Sequence, residues 1–297
     1  VIEPSVRRAG TTSRRPVERI SVGEAGVQRR VHRDTLATEE PLEIRVVVAG
    51  GSASEAHRVS VTMRTPGADA ELAAGFLFGE GLIHVPQQVA AIRPCVDRSR
   101  SEAQRGNVVN VFLAEGVAWD PGLVQRNFYA TSSCGVCGKA SIEAVIGPAC
   151  ARVGGSAAVG VDTLLALPDA LGATQAVFRR TGGLHAAALF TAGGTLLRVR
   201  EDVGRHNAMD KLIGAALLAG ELPLRDYVAL MSGRLSFELV QKAARAGVST
   251  LAGISAPSSL AIELAEEVGM TLIGFLREGR FNVYTGGERI SSAGGNG

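Results

Sequence analysis

Tyr227-Val228-Ala229-Leu230-Met231, Thr250-Leu251-Ala252-Gly253-Ile254 and Met270-Thr271-Leu272-Ile273-Gly274-Phe275 are short apolar runs, and the chain between them reads as helix. Phe237 to Ala246 and Ser259 to Val268 each carry apolar residues at helical spacing, and small polar loops separate every element. Strands of five or six residues alternating with helices of about three turns specify a largely parallel sheet covered on both faces. The fold class expected is therefore α/β. Outward from this run, Leu184 to Phe190 and Thr195 to Val199 form a strand pair around Ala192-Gly193-Gly194, and Asn282 to Tyr284 a last edge strand. Pro168 is expected to open a helical stretch that stops at Thr181-Gly182-Gly183, and Asn207-Ala208-Met209-Asp210 resembles a capping box for a helix over Ala208 to Leu218. Lys211 and Asp210 are expected on the surface of that helix.

The first part of the chain has a different rhythm. Leu42 to Val48 and Arg58 to Arg64 are β-rich runs around Ala49-Gly50-Gly51-Ser52, and Pro66-Gly67-Ala68-Asp69 provides a stop and an Asp cap for a helix over Ala70 to Leu82. Ala90 to Val96 and Asn107 to Leu113 follow as a second strand pair, so this part reads as an α+β module of order β-β-α-β-β. The polar stretch Glu115 to Arg126, which holds the only tryptophan, marks the boundary. At the other end, the first 33 residues concentrate arginine without apolar periodicity and read as a solvated arm.

The 297 residues favour about two domains. No apolar run approaches the roughly 18 residues of a membrane span, so no membrane is expected. Lys and Arg exceed Asp and Glu by two, a balance that calls for no nucleic acid and leaves room for a phosphate-rich ligand. Ser13-Arg14-Arg15 lacks the apolar region that a twin-arginine export signal needs, which points to the cytoplasm.

Chemistry concentrates in Cys134-Gly135-Val136-Cys137, ahead of an expected helix start at Ala140. A helix N-terminus and Lys139 both favour the thiolate, which is the nucleophile in sulfur chemistry. Four readings compete. A structural zinc needs four ligands, and there is no second CxxC; the histidines at 32, 185 and 206 lack the H-x-E half of a zinc deaminase signature. Thiol exchange, a mobile persulfide carrier and an inert pair stay open. In the second half the strands end in Glu201 to Asn207, Ser232-Gly233-Arg234, Ser255 to Ser259 and Arg277 to Arg280, loops that an open α/β sheet gathers at one edge. Helix N-termini and arginines there suit a phosphorylated ligand, while the absence of GxGxxG and P-loop patterns argues against NAD and ATP.

Beyond this physical reading, the chain resembles the formate dehydrogenase accessory sulfurtransferase family, FdhD, from about Leu42 to Arg289. The resemblance rests on Arg64-Thr65-Pro66-Gly67 with Glu71 to Leu77, Ser132 to Gly138, Thr181 to Ala187, Glu201 to Lys211, Ser232-Gly233-Arg234 and Phe275 to Arg280. It implies a sulfurtransferase that takes sulfane sulfur from a cysteine desulfurase and hands it to the bis(molybdopterin guanine dinucleotide) molybdenum cofactor before insertion into formate dehydrogenase. Cys134 then matches the persulfide-bearing cysteine and Cys137 the second cysteine of the motif. Phe275, Leu276, Arg277, Glu278, Gly279 and Arg280 match the cofactor-binding segment. The resemblance further implies a homodimer, no structural metal, and a C-terminal domain similar to cytidine deaminases without their zinc motif. The expected organisation is an Arg-rich flexible arm (1–40), an α+β module (41–120), a linker with the CxxC loop (121–140) and an α/β cofactor-binding domain (141–297).

Overall fold

Residues 10–24, 26–95, 97, 101–119 and 152–292 are described by the computed structural model. The first described element is a ribbon, β1 (Thr12–Gly23) paired antiparallel with β2 (Gly26–Ala37). Within these strands the arginine-rich segment is regular and still largely exposed. Helical periodicity was the wrong period to seek there, because a two-residue repeat carries its side chains.

Next come β3 (Glu40–Val47), β4 (His57–Arg64), α1 (Asp69–Gly79), β5 (Val89–Pro94), the short α2 (Glu102–Gly106) and β6 (Val108–Leu113). They form a four-stranded sheet in the order β4-β3-β6-β5, with β3 and β6 parallel. The expected β-β-α-β-β order is realised, with one local correction at Asp69. Ala68, with φ 55°, holds the N-cap position. Asp69 is the first helical residue and turns inward to pair with buried Arg64, Oδ1 to Nε 3.0 Å. An inward arginine outbids solvent for that carboxylate.

The second part holds β7 (Val159–Gly160), α3 (Val161–Thr174), α4 (Phe178–Thr181), β8 (His185–Thr191), β9 (Leu196–Asp202), α5 (Arg205–Leu218) and β10 (Tyr227–Met231). It continues with α6 (Phe237–Arg245), β11 (Thr250–Gly253), α7 (Ser259–Glu267), β12 (Thr271–Arg277), β13 (Arg280–Thr285) and β14 (Ile290–Ser291). Six of these strands make one sheet in the order β13-β12-β11-β10-β8-β9. Only β10–β11 and β11–β12 pair parallel; β8, β9 and β13 each pair antiparallel with their neighbours, so the sheet is mixed rather than largely parallel. Tight connections at Ala192 to Thr195 and Glu278-Gly279 leave no room for a crossover and force antiparallel pairing.

Both faces of the inner strands β8, β10, β11 and β12 are covered, which is why those strands are predominantly apolar. Ala187, Leu189, Ala229, Met231 and Leu272 point into a core with α5, α6 and α7. Ala186, Ala188, Phe190, Val228, Leu230 and Ile273 point the other way, against Leu164, Leu167 and Leu171 of α3. That apolar stripe extends α3 back to Val161, so Pro168 lies inside the helix instead of opening it. Burial of three leucines offsets one lost backbone hydrogen bond. The core beneath α5 also contains Leu42, Ile44, Leu72 and Leu77, so the N-terminal module and the large sheet share one interior.

The two halves meet where α1 crosses α5. A Cβ on Gly75 would stand 1.8 Å from the carbonyl oxygen of Asp210, and one on Gly214 the same distance from that of Glu71. The helices therefore touch backbone to backbone, and neither glycine has a substitute. Gly214→Ala is expected to destabilise the fold by at least the ~1–3 kcal/mol of an overpacked core. Gly172→Ala, in helical backbone on the exposed side of α3 with open space around it, is expected to add roughly 0.5–1 kcal/mol. Urea denaturation midpoints check both.

Candidate functional site

The N-terminus of β8 and the C-terminal ends of β9, β10, β11 and β12 lie along one edge of the large sheet. The loops leaving that edge are tied together by their own polar groups. Ser232 Oγ accepts from the Ala186 amide at 2.8 Å, and the Ser232 amide donates to the Ala186 carbonyl at 2.9 Å. Leu235 N–H donates to Ala256 O, Ser258 N–H to Leu235 O, and Phe275 N–H to Ser255 O, at 3.0–3.2 Å. Three loops expected from the sequence to converge do so. Gly233 permits the closest approach: a Cβ there would meet His185 Nδ1 at 3.1 Å.

His185 sits half-buried beneath this turn. Burial first, then the cationic Arg205 and Arg234, push its pKa below the ordinary value, so the ring is neutral at pH 7. Beside it, His206 Nε2 lies 3.2 Å from Ser236 Oγ and 3.8 Å from the Glu238 carboxylate. His206 and Ser236 hold the Glu238 carboxyl at about 2 although partial burial works against ionisation. His206 and Glu238 line an open cleft of about 260 Å³ between β4, α1, α5 and α6, with Asp210 and Lys242 also in its wall.

Glu201 and Asp202, expected in a loop, close β9 instead. Asp202 is wholly buried and its carboxylate accepts from the amides of Thr65 (3.2 Å) and Gly204 (2.9 Å) and from Asn207 Nδ2 (3.0 Å). Lys211 Nζ completes the knot, 2.6 Å from Asp202 and 2.9 Å from the Thr65 carbonyl. Helix α5 consequently starts at Arg205 with Gly204 as its cap. Asn207 does not cap it; its amide donates to Met63 O at 2.7 Å and accepts from Thr62 Oγ1. Lys211 and Asp210 are likewise not surface residues, being 2% and 1% exposed. Asp210 pairs with Lys242 at 2.7 Å, against burial that raises its pKa. The α1/α5 contact buries this part of α5, and the residues stay charged or polar because partners from both modules meet them.

The segment Phe275 to Arg280 spans the end of β12, the turn at Glu278-Gly279 and the start of β13 at the same edge. A register irregularity between Gly274 and Arg277 coincides with left-handed backbone at Phe275 (φ 54°), and Glu278 (φ 54°) and Gly279 (φ 71°) repeat it in the turn. Phe275 is thereby half-buried, with the Arg277 guanidinium 5.9 Å from its ring centre. Leu276 is fully buried in the α3 core and offers a ligand only its backbone. Arg277, Glu278, Gly279 and Arg280 are exposed, and Arg280 reaches Glu278 at 3.4 Å. Cys134 and Cys137 lie outside the described residues. Among the described residues no group of three or more His, Cys, Asp or Glu side chains is arranged to hold a metal ion.

Two of these features were missed from the sequence: the Asp202–Lys211 and Asp210–Lys242 pairs. A signal existed in residue choice. Of the 31 basic residues only Lys139, Lys211 and Lys242 are lysines, and two of the three are the buried partners of aspartates. A compact ammonium fits where a guanidinium fork would not.

A mixed α/β sheet with a cationic loop edge, fused through one core to an α+β module, defines the class of protein. The FdhD/NarQ family model matches residues 37–291, and the chain belongs to that family. The sulfur carrier protein FdhD of Mycolicibacterium paratuberculosis is 54% identical, covering 94% of this chain and 98% of that protein. Its namesake from Mycobacterium tuberculosis is 52% identical over 87% of this chain and 92% of its own length. A crystal structure of a protein assigned as a formate dehydrogenase accessory protein, from Desulfotalea psychrophila, superposes with a TM-score of 0.68. It covers 94% of this chain and 99% of its own and, at 23% identity, shows a shared fold.

Lys211→Met is expected to cost about 3–5 kcal/mol, because Asp202 would be left charged and unpaired in the interior. Arg277→Ala, exposed, should stay within about 0.5 kcal/mol. His185 gives a pH signature. Its folded pKa lies below the unfolded value, so the native state binds fewer protons, and its contribution is fully present above about pH 6.5 and is lost as pH falls through the folded pKa. His185→Gln should flatten the stability slope between pH 7 and 5 in denaturant titrations.

Proposed function

We propose that this protein is a sulfurtransferase that carries sulfane sulfur on Cys134 from a cysteine desulfurase to the bis(molybdopterin guanine dinucleotide) molybdenum cofactor, for use by formate dehydrogenase. The observation that carries the reading is near-full-length identity of about half to relatives named as sulfur carriers. The cationic loop edge supports it independently, since a guanine dinucleotide brings phosphates and broad polar rings. In the transfer, the Cys134 thiolate attacks the outer sulfur of the donor persulfide and the donor's thiolate leaves. Cys137 has two chemically balanced roles open to it. It can accept the sulfur in relay, or attack Cys134 to form a disulfide and release sulfide. The site of work is the cytoplasm, where thiols stay reduced, and the acting species is a homodimer. No helix among the described residues is long and apolar enough to cross a membrane.

At the sheet edge, Arg277 and Arg280 hold the cofactor's phosphates and Phe275 lies against a ring. Both arginines stand in solvent, open to a ligand. Each arginine changed to alanine should weaken GDP binding about tenfold in calorimetry, equivalent to about 1.4 kcal/mol. For the carrier step, intact mass after anaerobic incubation with desulfurase and cysteine should rise by one sulfur atom, and peptide mapping should find it on Cys134. Cys134→Ala should bind GDP normally yet yield inactive formate dehydrogenase. Full dehydrogenase activity with that variant would sink the transfer reading.

A further inference from the structure

The β1–β2 ribbon lies outside the family match, which begins at Ala37 where the ribbon ends, and the carrier chemistry makes no use of it. Among the described residues its twelve-residue strands pair only with each other, and an isolated two-stranded ribbon is marginal in water. Six exposed arginines, at 14, 15, 19, 29, 30 and 33, stand against the carboxylates of Glu18, Glu24 and Asp34. The register divides them three to a face. Arg15, Arg19 and Arg30 share one face with Val17, His32 and Asp34, and Arg14, Arg29 and Arg33 share the other with Glu18. That second face also carries Ile20, Val22, Val27 and Val31 towards the tip, each more than half exposed.

Arg19 and Arg30 are directly opposite each other in the ladder, and Arg19 Nη2 lies 3.1 Å from His32 Nε2. Like charges facing across a strand pair are unfavourable within the ribbon itself. An acidic surface laid on this face would relieve them. The base of the ribbon stands at the rim of the candidate site. Ala37 Cβ lies 3.6 Å from where a Cβ on Gly183 would be, two residues before His185, and Thr11 abuts Gly67, two residues after the Thr65 that binds Asp202. Helix α4 packs against β2 between these points.

We propose that the ribbon is a docking arm for a protein partner that presents an acidic surface beside an apolar patch, held over the loop edge of the large sheet. Arginines on both faces supply charge complementarity and the aliphatic tip the desolvated contact. A nucleic acid fits less well, because the tip has no aromatic side chain for stacking and the whole chain carries a net charge of only +2. Which proteins dock follows from the carrier reading, on which the choice of probes rests: the desulfurase that donates sulfur and the formate dehydrogenase that is served.

Arg19→Glu tests the arm without unfolding it, since it replaces the like-charge pair with Arg30 by an attractive one. Full-length protein and variant are titrated with purified desulfurase and with formate dehydrogenase by biolayer interferometry, at low and high potassium chloride. The expected result is a loss of about tenfold or more in affinity for at least one of them at low salt, shrinking as salt screens the charges. Arg30→Glu should behave alike. Unchanged affinities, or no binding by the unaltered chain, overturn the proposal. So does a change in sedimentation of the protein alone, which would assign the ribbon to a second copy, or loss confined to binding of a mixed-sequence DNA duplex. Loading of Cys134 by inorganic polysulfide, which needs no docking, reports separately on the carrier reading.

Discussion

The contact on which the rest of the molecule depends is the crossing of α1 and α5 at Gly75 and Gly214. Two helices separated only by backbone atoms lie closer than side-chain packing normally allows, and the short distance has consequences on both sides. It merges the module built on β3, β4, β5 and β6 with the core of the large sheet, so the halves are not independent bodies. It also buries the inner face of α5, along with the charged residues that face carries.

Those charges are tolerated because each is met by a partner, Asp210 by Lys242 of α6 and Lys211 by groups across the junction. Asp202 and Lys211 bind Thr65, Asn207 binds Met63 and Thr62, and Glu71 binds Arg200 through a two-pronged contact. Every one of these bonds ties the N-terminal module to the segment from Arg200 to Lys211. The loop carrying Arg205 and His206 to the sheet edge is thus set by residues more than a hundred positions earlier. A structural knot and part of the loop edge occupy the same seven-residue motif, with inward residues in the first and outward ones at the second.

The edge itself follows the general rule for open α/β sheets, in which strand ends and helix starts converge. Its details depart from a doubly wound sheet, because β8, β9 and β13 run antiparallel to their neighbours. That departure brings the N-terminus of β8, and with it His185, into the row of C-terminal strand ends. A strictly parallel β8 would have put His185 at the far side of the sheet. Neutrality of the ring then comes first from its burial under a turn and then from the neighbouring Arg205 and Arg234, a property of the assembled edge.

From the sequence by itself came the α/β class, the β-β-α-β-β order, the three parallel strands and the convergence of the Ser232, Ser255 and Arg277 loops. Each is carried by local periodicity or by Gly, Pro and Ser in the turns, and so is visible within a window of ten to twenty residues. The ribbon's two-residue repeat was equally local but hidden, because polar arginines occupy both its faces. Tertiary structure alone decided that Pro168 lies within a helix, that Leu276 faces the core, and that Asp202, Asp210, Lys211 and Lys242 are interior. No local pattern marks a buried ion pair whose partners are distant in sequence. Its burial is set by how closely two helices approach, and that distance was fixed by two glycines 139 positions apart.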